Sequence, residues 1–161
     1  MWSVDMYVVR RAEVRDIKPI LSELESFSNY YGMEKYSFFS DDRAGMEEKL
    51  EYMIESHIVY VADYISEETG VTRSVVGVVA GLLTPHFFNP KLVTLAEQFW
   101  WVNEAHRETR AGLMLLKKFI ETGKQVANIL TFCLLKETPV RDRSLEHFGF
   151  KFVERAFIME V

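Results

Sequence analysis

Residues 95–116, LAEQFWWVNEAHRETRAGLMLL, run as a strand, a short turn carrying cations and small residues, and the start of an apolar helix. That order builds an anion site. The first turn of a helix has backbone N–H groups with no intrahelical partner, and aligned peptide dipoles add partial positive charge there. Ala111 and Gly112 keep the approach to that backbone open, Arg107 and Arg110 add full charges, and Leu113-Met114-Leu115-Leu116 anchors the helix in a core.

Outward from this stretch, composition bounds the class. A chain of 161 residues reads as one domain spanning 1–161, and 48% hydrophobic with 27% charged residues excludes disordered, collagenous and disulfide-scaffold classes. The formal charge of −5 lacks the basic field that non-specific nucleic-acid binding needs, so no nucleic-acid partner is expected and any anion site must be local. The single cysteine, Cys133, has no internal disulfide partner, which fits a reducing, cytoplasmic compartment. It reads as a small buried hydrophobe rather than a nucleophile. The longest apolar run, 75–83, is far short of a membrane span, the amino end carries an acid where a secretion signal needs apolar residues, and no membrane partner is expected. No His, Cys and acid cluster has ligand spacing, so no metal is invoked.

Periodicity orders the elements. Residues 6–10 read as a first strand, and Ile17, Ile20, Leu21, Leu24 and Phe27 share one face of a helix. Residues 27–40 are dense in aromatics without clear period and read as an irregular segment. Asp41 or Asp42 caps a second helix with Met46, Leu50, Met53 and Ile54 inward. Residues 57–64 and 74–83 form an antiparallel hairpin, 84–90 leave it as a loop bounded by Pro85 and Pro90, and 92–102 is the next strand. The helix from Ala111 ends near Gly123, and residues 128–135 read as a strand covered on both faces. Thr138-Pro139 opens a last helix that stops at Gly149, and 150–154 with 156–161 close the chain as a strand pair.

This order and three local signatures resemble the GNAT superfamily of acyl-CoA-dependent N-acetyltransferases. The first signature is a strand ending in Val102, then Arg107 and Gly112, with Arg110 where the family carries its first glycine. An arginine there is strained if the position needs positive φ and allowed if it is helical; the following residues already favour helix. The second is Ser144-Leu145-Glu146-His147-Phe148-Gly149-Phe150, in which Leu145 replaces the tyrosine that protonates the departing thiolate in many members. A replacement tyrosine must come from the amino half, since all seven lie at or before Tyr64. The third is Tyr7-Val8-Val9-Arg10-Arg11-Ala12 with Asp16, like the family's first strand and turn.

The resemblance implies an α/β (α+β) fold: a mixed, mostly antiparallel central sheet of about seven strands, its fourth and fifth parallel, flanked by about four helices. It implies acetyl-CoA as co-substrate, held by main-chain groups of Trp101 and Val102 and by Arg107, Thr109, Arg110, Ala111 and Gly112. It further implies acetyl transfer to a primary amine of a small molecule or protein, and copies that pair as a homodimer. Loss of the tyrosine leaves a second reading open, a non-catalytic acyl-CoA-binding or interaction module. Glu97 is the candidate base, a carboxylate among Leu95, Phe99 and Trp101 whose pKa desolvation would raise; the other reading is a solvent-end acid or a lysine's partner. Gln98 replaces it if a bulge swaps the faces. Tyr30, Tyr31, His86 and Phe87, from the two irregular aromatic segments, are the expected acceptor contacts.

Overall fold

The computed structural model describes residues 6–33, 42–66 and 72–161. Five strands form one sheet in sequential order: β1 (Met6–Arg11), β2 (Ile58–Ser66), β3 (Thr72–His86), β4 (Asn89–Val102) and β5 (Ile129–Thr131). The first four pair antiparallel, and β5 joins β4 in parallel, as expected. Four helices flank it: α1 (Ile17–Tyr31), α2 (Arg43–Ser56), α3 (Ala111–Val126) and α4 (Asp142–His147).

Strand alternation divides the core into two halves. Val59, Val61, Val78, Ala80 and Trp101 face α1 and α2, where they meet Ile20, Leu21, Leu50 and Met53. Tyr60, Ala62, Val79 and Val102 face the other way, against Leu115 and Phe119 of α3. The helix settles closely on the sheet. A β-carbon at Gly81 would lie 2.7 Å from Phe119, and one at Gly123 would lie 2.6 Å from Leu130. Gly123 therefore sits inside α3 rather than ending it, and the helix continues to Val126.

At the other side of the sheet, Arg10 joins two acids. Its guanidinium donates to Asp16 at 2.7 and 2.9 Å and to the fully buried Asp63 at 2.7 Å. Burial works to raise the Asp16 carboxyl, but the Arg10 bonds and the Glu13 N–H overcome it and hold its pKa below the ordinary value. The network pins the entry of α1 to β1 and β2.

The structure corrects several expectations. The sheet has five strands among the described residues, not seven: residues 150–161 form no strand, and of 128–135 only Ile129–Thr131 is paired. Residues 84–90 are not a loop. β3 and β4 continue to a tight turn at Phe87-Phe88, beyond the reach of β2 and β5, and the prolines are tolerated because that end of the hairpin has free edges and a register shift at Pro85/His86. α1 continues through Tyr30 and Tyr31 until Gly32 turns left-handed (φ 61°). Asp42 caps α2, accepting the Gly45 N–H at 2.9 Å, while Asp41 and the aromatic residues 34–40 lie outside the described residues. α4 starts after Arg141 rather than at Pro139.

Candidate functional site

The parallel ladder between β4 and β5 has three rungs and ends at Ala96 opposite Thr131. One residue later the Glu97 carboxylate spans the opening and accepts the Cys133 backbone N–H at 3.2 Å. Burial raises its pKa from 4.5 to about 7, and the Cys133 N–H opposes that rise only in part. Of the two sequence readings, desolvation is met, and the partner is a backbone N–H rather than a lysine. Gln98 occupies a bulge opposite Ala80/Gly81, is exposed, and donates to its own strand's carbonyls, so it does not enter the gap.

Beyond Glu97, β4 delivers Trp101 and Val102 to the site. The Asn103 N–H bonds Val76 O across β3. Alternation therefore turns the main-chain groups of Trp101 toward β3 and those of Trp100 and Val102 toward the open side. For Trp101 this corrects the expectation of a main-chain bond to a ligand. Its side chain instead donates to Glu23 of α1 at 2.8 Å. Arg107 folds over this platform. Its Cζ lies 3.9 Å from the Tyr30 ring centre and 4.3 Å from that of Trp101, and its Nε donates to Val102 O at 3.2 Å. A guanidinium suits the role, stacking on rings while it donates in plane.

The start of α3 matches the helical alternative for Arg110, which has φ −76°. Its side chain is exposed and takes no part in the cavity described next. Ala111 is fully buried and its N–H goes to Thr109 Oγ1 at 3.2 Å, so both residues serve the helix start. The first intrahelical bond runs from the Met114 N–H to Arg110 O, which leaves the N–H groups of Gly112 and Leu113 without an intrahelical acceptor. A β-carbon at Gly112 would meet Val102 and Trp100 only at ordinary distances, 3.4 and 3.6 Å. Packing does not demand glycine here.

These groups border an open cavity of about 500 Å³. Trp100, Trp101, Val102, Arg107, Thr109 and Gly112 line one side, Tyr31 closes the α1 end, and Thr138 to Arg141 with Ser144 and Phe148 form the opposite wall. Sequence reasoning missed that wall. Arg141 was the legible part, a cation just before a short helix, but nothing local placed it opposite α3. The Trp100 indole N–H, in the same cavity, is buried without a partner among the described residues. An anionic, elongated ligand with acceptor groups fits this lining of cations, free N–H groups and rings.

The acceptor contacts do not stay together. Tyr30 and Tyr31 adjoin the cavity, whereas His86 and Phe87 sit at the hairpin tip, roughly 25 Å of strand away from Val78, the partner of Trp101. Phe87 is 88% exposed there. Leu145 is buried with Leu116 and Ile120 and turns away from the cavity. Cys133 is exposed, not buried, because the strand ends at Thr131; partial burial of the thiol and the charges of Glu97 and Glu154 raise its pKa, which disfavours thiolate chemistry.

No family model and no curated protein matches the sequence. Solved structures do. An acetyltransferase from Trypanosoma brucei aligns over 97% of this chain and 100% of its own with a TM-score of 0.69 at 13% identity. Glucosamine-6-phosphate N-acetyltransferase from Arabidopsis thaliana aligns over 96% and 98%, with a TM-score of 0.70 at 11% identity. A transcriptional regulator from Bacillus halodurans reaches 0.73 at 16% identity, over 97% and 100%. The fold is the GNAT fold. The end of α1, the Trp100–Val102 stretch of β4 and the start of α3 meet at one cavity, and Glu97 lies three residues before that stretch without lining it. No helix among the described residues is long and apolar enough to cross a membrane, and no three potential metal-ligating side chains come together among them.

Proposed function

We propose that the protein transfers an acetyl group from acetyl-CoA to a primary amine of a small molecule or protein in the cytoplasm. The observation that carries the reading is Glu97, a carboxylate with a pKa of about 7 held in the gap between β4 and β5. A primary amine of pKa ~10 must lose a proton before it attacks, and a base near neutral pKa accepts that proton directly or through one water. Bound acetyl-CoA supplies an activated acetyl carbon and a thiolate leaving group.

The chain's own residues divide the remaining work. Gly112 and Leu113 N–H groups, with Arg141 across the cavity, would receive the pyrophosphate, and Arg107 would stiffen the floor beneath it. Val102 and Trp100 offer main-chain groups to the pantetheine arm. The nitrogen's lost proton passes to Glu97, and a proton for the leaving sulfur comes from a hydroxyl in the cavity, the Tyr31 phenol. Tyr30 then borders the acceptor side.

Thiol release from acetyl-CoA over a panel of primary amines tests the reading. Turnover with wild type and its loss in Glu97→Gln is the expected result. The burial of Leu145 favours the alternative of a non-catalytic acyl-CoA-binding module. Coenzyme A binding without turnover across the panel would establish that alternative.

A further inference from the structure

The loop between β4 and α3, residues 103–110, carries Arg107 and Thr109 to the cavity and ends at the free N–H groups of the helix. Two consecutive side chains in it go to opposite faces of the sheet. Arg107 stacks on Tyr30 of α1 and on Trp101. His106 goes to the face that α3 covers. Its Nδ1 and the Tyr7 hydroxyl share a hydrogen bond of 2.9 Å, and its ring lies 4.9 Å from that of Tyr64 and edge-on to that of Tyr7 at 5.8 Å. Tyr7 is buried in β1, and Tyr64 is its cross-strand partner in β2. Among the described residues, this is the one side-chain hydrogen bond that ties 104–110 to a distant part of the chain. Glu104, Ala105, Glu108 and Arg110 are exposed, so few apolar contacts hold the loop and one buried bond decides its place.

The consequence runs along the main chain to the helix. His106 O accepts the Thr109 N–H at 3.3 Å and the Thr109 hydroxyl at 2.6 Å, which turns a lone pair of Thr109 Oγ1 to the Ala111 N–H at 3.2 Å. Ala111 is thereby satisfied, and the first N–H groups without an acceptor are those of Gly112 and Leu113. Where the His106 carbonyl stands therefore sets where the free donors stand.

We propose that Tyr7 and His106 are positioning residues for the coenzyme A pyrophosphate. Their bond presets the loop, and with it Thr109 and the Gly112 and Leu113 N–H groups, before the ligand arrives. Neither side chain lines the cavity, so both act through the loop. The inference rests on the acetyl-CoA reading of that cavity.

Calorimetry with coenzyme A on Tyr7→Phe, His106→Leu, the double variant and His106→Asn tests it. The Asn amide nitrogen stands where Nδ1 stands and keeps a bond to Tyr7. Tyr7→Phe and His106→Leu should each weaken binding about tenfold, the double variant no further than the worse single, and His106→Asn should recover most of the loss. In turnover, KM for acetyl-CoA should rise by the same factor in Tyr7→Phe while kcat is unchanged. Tyr7→Phe removes one oxygen and keeps the ring, so it reads the bond even where a His106 variant fails to fold. A lowered melting temperature with wild-type affinity in Tyr7→Phe, additive losses in the double variant, or an Asn variant as weak as the Leu variant would each overturn the inference and leave the cavity's ligand in place. A wild type that does not bind coenzyme A would overturn both.

Discussion

The Glu97 carboxylate accepts the Cys133 N–H at 3.2 Å immediately past the last β4–β5 rung. The strands have begun to part there, and the acid bridges the opening. Its pKa of about 7 in the fold, against 4.5 ordinarily, means that the folded chain prefers the protonated form. Stability is therefore highest below about pH 4.5 with respect to this group and falls as pH rises through 7, by about 3 kcal/mol at most. Glu97→Gln should remove that slope and melt higher than wild type at pH 8, with little difference at pH 4.5. In the same variant kcat should fall at least tenfold at pH 7 with little change in KM for acetyl-CoA.

Gly112 separates ligand approach from packing. Its β-carbon would meet only ordinary contacts, so Gly112→Val should leave stability within about 1 kcal/mol in thermal or urea unfolding. The added branches would stand before the free N–H groups of α3. Coenzyme A affinity by calorimetry should drop about tenfold or more, and Arg141→Ala should give a similar loss that shrinks as salt rises.

Tyr31 brings a phenol to the cavity where Leu145 brings none. Tyr31→Phe keeps the ring and its packing on Phe27 and should leave coenzyme A binding intact while kcat falls about a hundredfold. The deficit should narrow for an acetyl thioester whose thiol is a stronger acid.

Arg107 should behave as a structural residue as well as a binding one. Arg107→Ala removes two ring contacts and a bond to Val102 O, an expected loss of about 1–2 kcal/mol in unfolding. Arg107→Lys should restore the charge but not the stability, because an ammonium cannot stack between Tyr30 and Trp101.

Arg10→Met leaves the fully buried Asp63 and the buried Asp16 without their principal partner and should cost about 3 kcal/mol or more. The Asp16 contribution has the opposite pH sense to that of Glu97. Its carboxyl lies below the ordinary 3.8 in the fold, so the stability it adds is present above that value and is lost as pH falls further. Acid melts of Asp16→Asn should be correspondingly flatter.

What local chemistry encodes was legible in the chain. The strand-like runs 57–64 and 74–83, joined by a polar stretch with Gly70, gave the hairpin, the stripe from Ile17 to Phe27 gave α1, and the small residues after Val102 gave the start of α3. What failed depends on distant neighbours. Pro85 and Pro90 read as breakers because a sequence does not show that β2 ends at Gly81's level and leaves the hairpin tip with free edges. Phe150 to Val161 read as strands because strand residues fill it, yet among the described residues it joins no ladder of the sheet. The wall at Arg141 is a tertiary juxtaposition, and Tyr31 needed α1 to run one turn further than its apolar stripe indicated.

The close seat of α3 makes the far end of the helix a control on the near end. Gly81 and Gly123 are spaces where two missing methyl groups let the helix lie down, and a β-carbon at either would press against Phe119 or Leu130. Lifting the helix by even an ångström would move the Gly112 and Leu113 N–H groups with it, since a helix transmits displacement along its axis. A displacement of that size can cost a hundredfold in rate. Alanine at Gly123, three turns from the cavity, would then be recovered in a screen as a binding defect, and a search for functional positions confined to the cavity wall would pass over it.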